Sequence, residues 1–326
     1  MDLTFAMRTR GTPEANAKST ALVPKVFRFS DIDEFRSQIR HLNVDFTPLV
    51  RKIAAEQTIL NLPGCDVNFI KSFPRILDVQ AAPNCTVVGF AMDEGIPICS
   101  NGVESGPSVI VTGSGGAIFN VVERVERQYT SIIFAPELKN RGWPEGGPNF
   151  KMFETSRASH GWLRTLVREI LAVAGGFSGL PEAGQISLAM KESLLAGIDA
   201  AFVDVVPTKW ATRANSVRQF KISQQVRGVV LANIGTPIYS ADLARELAVS
   251  VRTIHDAVLR YSGMSLHRYL RLRRLWLVRR QLYAGCHSVK ASALAFGFWH
   301  LGDFAQSYRS QFGESPSQTL ARSRKT

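Results

Sequence analysis

A short polar helix face that follows Ser250 has the residue types needed to contact a nucleic acid. Serine is a preferred N-cap residue, so Ser250 predicts a helix that starts at the next position. Ile254 and Val258 lie one helical turn apart and point inward. The outward side then carries side chains that can hydrogen-bond to base edges or phosphates: Arg252, Thr253, His255 and Asp256.

A second helix must hold this face in place, and the sequence predicts one directly before it. Ser240 has an N-cap residue type, and Leu243 and Leu247 share one side of the segment that follows. Residues 248–249 form a short turn between the two helices. Gly263 ends the outward-facing helix, because glycine adopts the left-handed conformation that closes many helices. This is the pattern of a helix-turn-helix unit.

The same layout occurs again near the C-terminus. Ser288 caps a segment that ends at Gly297, and a further helix is expected over residues 301–312. Gly313 and Pro316 stop that helix. Three aromatic residues recur every four positions and are expected to bury against the preceding helix: Phe304, Tyr308 and Phe312.

Residues 265–282 connect the two units and predict one long basic helix. At about 1.5 Å per residue it spans roughly 27 Å, which suits two recognition helices placed one DNA turn, roughly 34 Å, apart. Trp276 and Leu277 are expected to pack inside the domain. Five arginines are expected either to contact phosphate or to form internal pairs: Arg271, Arg273, Arg274, Arg279 and Arg280. The alternative is an ordinary helical bundle with a basic surface, but start, turn and stop signals that occur twice in order favour DNA binding.

The positive charge of the chain is concentrated in this region. The 326 residues include 39 Lys and Arg and 27 Asp and Glu, a net charge of +12. From Pro207 onward, 19 basic and 5 acidic residues give +14, which leaves −2 for the rest of the chain. A polyanionic partner accounts for this asymmetry. A membrane-surface helix is the alternative, but the connector lacks a broad lipid-facing side.

Several segments of this region resemble the AraC/XylS family of transcriptional regulators. They are LARELAVSVRTIHDAVLRYSGMSLHRYLRLRR, ALAFGF and SYRSQFGESPS. The resemblance covers roughly the last hundred residues. The GFWHLG segment also resembles a branch that includes ethanolamine-operon regulators. The resemblance implies that each unit inserts a recognition helix into a major groove.

The family motif also implies which residues meet the DNA. By motif position, the base-edge contacts are Arg252, His255, Asp256, Trp299, Leu301, Gly302, Asp303, Ala305 and Gln306. Phosphate contacts are expected from Thr253, Arg271, His300 and Arg309, although His300 could instead cap the last recognition helix. Asp256 and Asp303 depart from the family pattern, where basic or neutral polar residues are commoner. An aspartate either accepts from cytosine N4 or stays away from the phosphates, so both interpretations stay open.

The N-terminal half has a sequence pattern typical of β-strands. Short apolar runs separated by turn residues fill residues 51–135, which predicts an antiparallel barrel or sandwich. A short helix is expected over residues 31–42, and two longer ones over residues 159–174 and 187–206. The broad apolar faces of the longer helices must bury against the barrel or against a second copy of the protein.

The expected class is therefore α+β, and the family resemblance implies that the N-terminal barrel is cupin-like. The expected domains are a mobile arm, a ligand-sensing and dimerisation domain, a linker and a DNA-binding domain: residues 1–24, 25–206, 207–217 and 218–326.

Catalytic and metal sites find little support in the sequence. The N-terminal half contains only His41 and His160, so a three-histidine or two-histidine–carboxylate site is not expected in the barrel. Cys65, Cys85, Cys99 and Cys286 form no CxxC pair or zinc-ligand spacing. We expect no enzyme activity, no metal and no other cofactor.

These features predict a transcriptional regulator, an activator that responds to a small-molecule effector. The expected partners are double-stranded DNA, RNA polymerase and a second copy of the chain. No run approaches the roughly 18 apolar residues of a membrane span, and no secretory signal is present, so a cytoplasmic protein is expected. The alternatives are a ligand-independent architectural DNA-binding protein and a DNA-binding domain fused to a barrel enzyme.

Overall fold

Two antiparallel β-sheets form the first part of the protein. The computed structural model describes residues 22–30, 35, 40–138, 141–143, 150–203, 205–207, 214–233, 238–285 and 288–323. In spatial order the larger sheet contains β1 (Lys25–Phe29), β3 (Ala55–Leu62), β4 (Cys65–Ser72), β11 (Arg127–Phe134), β6 (Thr86–Ala91), β9 (Val109–Ser114), β12 (Lys151–Glu154) and β13 (Val206–Pro207). The smaller sheet contains β2 (Leu42–Pro48), β5 (Arg75–Ala81), β10 (Ile118–Glu123), β7 (Ile98–Ser100) and β8 (Val103–Ser105).

The expected antiparallel β domain is confirmed, but its strands do not close into one barrel. Among the described residues, the hydrogen-bonded ladders form two separate sheets. Side chains from both sheets meet between them, for example Phe46 and Val79 from the smaller sheet with Ile70 and Val111 from the larger one. The arrangement is an open sandwich, because edge strands remain on both sheets.

Two helices cover the outer face of the larger sheet. The first, α1 (Arg157–Val173), starts after Ser156, whose side chain accepts from the backbone N–H of Ser159. The second is α2 (Ala183–Val203). Their inner residues pack on alternate strand positions in one core cluster, which includes Leu163, Val167, Leu194, Ile198, Val67, Phe90 and Ile132. The inner faces of both helices are therefore buried against the sheet, as one of the two alternatives predicted.

The C-terminal part is helical. Its elements are α3 (Ala214–Ala232), α4 (Ser240–Glu246), α5 (Val251–Ser262), α6 (Leu266–Tyr283), α7 (Val289–Ala295), α8 (Leu301–Phe312) and α9 (Pro316–Ser323). Phe304 and Tyr308 are buried as predicted, and Phe312 meets Trp276 edge to face with ring centroids 4.8 Å apart. Trp276 is therefore a packing residue, as expected. Both Gly263 and Gly313 have positive φ and end α5 and α8.

The sequence-based expectations differ from the structure at several boundaries. The helix expected over residues 31–42 lies mostly outside the described residues, and its end is wrong because Leu42 begins β2. Most of the expected mobile arm also lies outside them, but Leu22, at its end, is buried against the core beneath α1 and α2. The segment expected to be a linker ends inside α3, which starts at Ala214. None of the described helices is long and apolar enough to cross a membrane.

Tyr308 provides a test of how α8 is held. Its hydroxyl donates to the Thr319 side chain of α9 at 2.9 Å, and its ring is fully buried. We expect Tyr308→Phe to lower the free energy of unfolding by about 1 kcal/mol, and Tyr308→Ala by about 3–5 kcal/mol. Urea denaturation followed by circular dichroism measures both.

Gln281→Ala, at an exposed position of α6, is the matched control and should have little effect. A Tyr308→Ala variant as stable as this control would show that α8 does not pack as described.

Candidate nucleic-acid interface

The first polar face is held by the pair α4 and α5. Helix α4 begins one residue earlier than predicted, because Tyr239 and not Ser240 is its N-cap. The Asp242 carboxylate accepts from the Tyr239 backbone N–H at 3.3 Å, which satisfies a donor that the helix itself leaves free. At α5 the predicted cap is confirmed: the Ser250 hydroxyl accepts from the Thr253 backbone N–H at 3.1 Å.

The side chains of α5 divide as the helical period predicts. Ile254 and Val258 are buried, while Arg252 and Asp256 are exposed. His255 is partly exposed and its Nδ1 lies 3.6 Å from a carboxylate oxygen of Asp256. The Thr253 hydroxyl is hydrogen-bonded to Ser250 at 2.8 Å. The surface of α5 therefore combines a free guanidinium-bearing side chain with a histidine–aspartate pair.

The second candidate face lies on α8 and the residues just before it, and it is less polar than the first. All its sequence-predicted base-edge residues are exposed: Trp299, Leu301, Gly302, Asp303, Ala305 and Gln306. Trp299 retains 65% of its accessible surface, which is unusual for so large an apolar side chain. His300 occupies the N-cap position of α8, but its side chain makes no cap hydrogen bond. The capping alternative for this residue is therefore wrong.

The connector arginines separate into surface and internal groups. Arg271 and Arg280 are exposed, and the Arg271 guanidinium is hydrogen-bonded to Ser307 of α8. Arg274 lies over the Phe298 ring with its guanidinium carbon 5.2 Å from the centroid. Arg279 pairs with Glu314 at 2.9 Å. Arg274 and Arg279 therefore hold the second unit against the connector and do not face DNA.

Arg273 has a role that the sequence did not indicate, because it contacts the β domain. Its guanidinium lies 2.7 Å from a carboxylate oxygen of Asp45 and donates to the Thr47 hydroxyl at 3.0 Å. Arg227 of α3 lies 3.3 Å from a carboxylate oxygen of Asp78. Two arginines of the helical region thus meet two aspartates of the smaller sheet. We call these four residues the interdomain charge cluster.

The two aspartates of this cluster sit directly opposite each other on neighbouring strands. Asp45 of β2 is in register with Asp78 of β5, and like charges so placed repel one another. Burial raises the pKa of Asp78, while Arg227 and a hydrogen bond from Asn120 favour its charged form. The two arginines therefore compensate the repulsion between the Asp45 and Asp78 carboxylates.

The same strands also border a cavity inside the β domain. Side chains alternate along a strand, so those next to Asp45 and Asp78 point to the other face of the sheet. Val44 and Phe46 of β2, with Leu77 and Val79 of β5, line the cavity between the two sheets. One pair of strands therefore touches both the cavity and the helical region.

The described residues offer no evident catalytic centre. His41 lies 3.8 Å from Asp66, and burial lowers the pKa of His160 to about 4, so its ring is neutral. Burial also raises the pKa of the Cys65 thiol to about 12, which makes it a poor nucleophile. Within the described ranges no three His, Cys, Asp or Glu side chains could together hold a metal ion. Cys286 lies outside those ranges.

Comparison with known proteins identifies the helical region. Residues 243–322 match a family model described as a helix-turn-helix domain. XylDLEGF operon transcriptional activator 3 of Pseudomonas putida is 38% identical over 93 residues, 28% of each chain. The HTH-type transcriptional activator RhaS of Pectobacterium atrosepticum is 26% identical over 171 residues, 52% of this chain and 58% of that protein.

A solved structure extends the comparison. A probable AraC family transcriptional regulator from Rhodopseudomonas palustris is 36% identical, and the match covers 32% of this chain and 97% of that one, with a TM-score of 0.29. Residues 243–322 therefore form a helix-turn-helix domain, which is similar in sequence to this probable AraC family regulator. The matched region spans little more than a quarter of the Pseudomonas activator.

The interdomain charge cluster can be tested by removing its acidic half. The double variant Asp45→Asn, Asp78→Asn keeps the size of the side chains, but Arg227 and Arg273 lose their charged partners. Leaving a buried charge unpaired costs about 3–5 kcal/mol. We expect amide hydrogen exchange in β2 and α6 to accelerate by at least about tenfold, because docking of the helical region becomes weaker.

Glu56→Gln is the matched control, since Glu56 is an acid of the β domain that pairs with exposed Arg28 and Lys71. It should leave exchange in α6 unchanged. Equal protection of α6 in the double variant and the control would contradict a stabilising role for the cluster.

Proposed function

We propose that this protein is a DNA-binding transcriptional regulator whose two recognition helices, α5 and α8, enter successive major grooves. The observation that carries the proposal is the exposure of both candidate faces while the residues behind them are buried. The net charge of +14 beyond Pro207 adds a sequence-independent attraction to DNA. The matches to named transcriptional activators favour activation, with RNA polymerase as a partner.

We assign base-edge contacts to the exposed residues of both faces. They are Arg252, His255 and Asp256 in the first unit, and Trp299, Leu301, Gly302, Asp303, Ala305 and Gln306 in the second. Thr253, Arg271, His300 and Arg309 are assigned to phosphates. From the GFWHLG segment we also predict that the protein belongs to a branch that includes ethanolamine-operon regulators.

The β domain is assigned the role of a sensor. A ligand-independent architectural protein would not need a second domain with an internal cavity, and the cavity wall includes the strands that hold Arg227 and Arg273. A molecule in the cavity that shifts β2 or β5 changes the position of Asp45 and Asp78, and through them the position of the helical region. The high pKa of Cys65 and the neutral His160 argue against the barrel-enzyme alternative.

A homodimer is part of the proposal. The outer surfaces of α1 and α2 retain large apolar side chains, among them Trp162 and Leu188, each 50% exposed. Such residues are available to a second copy of the chain. They are distinct from the inner residues that already pack on the sheet.

Two arginines should separate base reading from phosphate attraction. Preferred sites are first selected from a pool of random duplex DNA. Arg252→Ala should weaken binding to the selected site by about 1–3 kcal/mol and relax the preference at one base pair. Arg309→Ala should weaken binding to all duplexes alike and reduce the slope of log K against log salt by about 0.9. Fluorescence anisotropy at several salt concentrations measures both.

Arg28→Ala removes the same charge from an exposed position on β1, far along the chain from either face, and serves as the control. It should change neither affinity nor salt slope appreciably. If Arg252→Ala behaves like Arg28→Ala, α5 does not read bases through Arg252.

A further inference from the structure

The cavity between the two sheets has a composition that restricts what it can bind. Its volume is about 70 Å³, less than half that of an engineered cavity of about 150 Å³ that holds benzene. Most of its wall is apolar and comes from both sheets, with Phe46, Val79, Val111, Phe119, Val121 and Phe150 among its residues. A ligand that fits this cavity has few atoms and a mainly apolar surface.

The charges of the described wall are paired, although the buried Arg75 Nη1 donates to none of the described residues. Arg75 lies 2.8 Å from a carboxylate oxygen of Glu123, which also accepts from the Ser72 hydroxyl at 2.9 Å. Arg127 donates to the carbonyl oxygens of Ile96 and Pro97. Its Nε lies 3.5 Å from the Asp93 carboxylate. Positive and negative charges are therefore balanced within the wall, and a charged guest would meet no uncompensated counter-ion.

Besides the Arg75 Nη1 donor, polar side chains of the larger sheet offer hydrogen-bonding capacity to a ligand. The Gln57 amide donates to the Asn68 side chain at 3.0 Å, yet the Gln57 Oε1 accepts from none of the described residues. Gln57 is fully buried. A buried amide oxygen without a donor is costly, and a ligand N–H or O–H would satisfy it. Tyr129 and Ser131 line the same side of the cavity.

We propose that this cavity takes a small, uncharged, mainly apolar molecule with one hydroxyl or amide group, and that it discriminates against carboxylates and amines of the same shape. The basis of discrimination is the neutralisation of Arg75 by Glu123. A buried ion without a partner pays the full desolvation penalty, whereas a neutral hydrogen-bonding group does not. This inference specifies the ligand of the proposed sensor domain. Only the effect of that ligand on regulation rests on the proposed function.

A matched pair of probes tests the proposal on the full chain. Propionamide and propionate have the same number of non-hydrogen atoms and nearly the same shape but differ in charge. Ligand-observed NMR titration in the absence of DNA gives the two dissociation constants. We expect propionamide to bind at least about tenfold more tightly than propionate.

Two variants locate the binding and its cause. Val121→Phe enlarges a wall residue into the cavity and should abolish propionamide binding. Glu123→Gln keeps the shape of the side chain but leaves Arg75 as an uncompensated cation, so propionate should become the preferred probe. If the single variant does not fold, the double variant Arg75→Gln, Glu123→Gln takes its place. It removes both charges and is expected to retain the preference for propionamide.

Several results would overturn the proposal. They are equal binding of the two probes to the unmodified protein, binding that Val121→Phe does not weaken, or no measurable binding of propionamide. Because DNA is absent from these titrations, such a failure leaves the assignment of α5 and α8 to DNA intact. Conversely, if the protein does not bind DNA as proposed, the NMR titrations still test the selectivity of the cavity.

Discussion

The contact between two aspartates on one sheet and two arginines on two helices holds this structure in its observed arrangement. Asp45 and Asp78 face each other across β2 and β5, a placement that is unfavourable unless cations lie beside them. Arg273 and Arg227 come from α6 and α3, so both helices are tied to the sheet by the same requirement. Because these charges are largely buried, neither side can be removed without leaving the other uncompensated.

This contact connects three parts of the molecule that the sequence presents as separate. The inner side chains of β2 and β5 line the cavity, and their outer carboxylates meet the arginines. Helix α6 carries Arg273 and also Trp276, which packs on Phe312 at the end of α8. A continuous series of packed and paired side chains therefore runs from the cavity to the second recognition helix. In the function that we propose, these residues provide the route by which a ligand in the cavity acts on the DNA contacts.

The sequence predicts the helical region well because its signals are local. Ser250 and Ser288 cap helices, Gly263 and Gly313 close them, and the four-residue aromatic repeat of α8 marks its buried side. The same period separates exposed Arg252 and Asp256 from buried Ile254, which is why most candidate contacts could be placed on the surface. The apolar runs predicted over residues 51–135 also correspond to strands.

The missed features depend on contacts between distant residues. Helix α3 buries Phe220 and, every four residues, Ile222, Val226 and Val230, but polar and basic residues lie between them, so the sequence predicts a linker and a domain start there instead of one helix. Strand β2 carries Asp45 at its centre, and aspartate is depleted in strands. Nothing near Arg273 in the sequence distinguishes it from Arg271, yet one is buried against Asp45 and the other is exposed. Only the folded chain brings these charges together.

In the function that we propose, α5 and α8 enter two successive major grooves. Hydroxyl-radical footprinting of the full protein on a selected DNA site tests it most directly, because the method reports backbone protection at each nucleotide. We expect two protected patches on one face of the duplex, about one helical turn or roughly 10 base pairs apart. Protection confined to a single groove would contradict it.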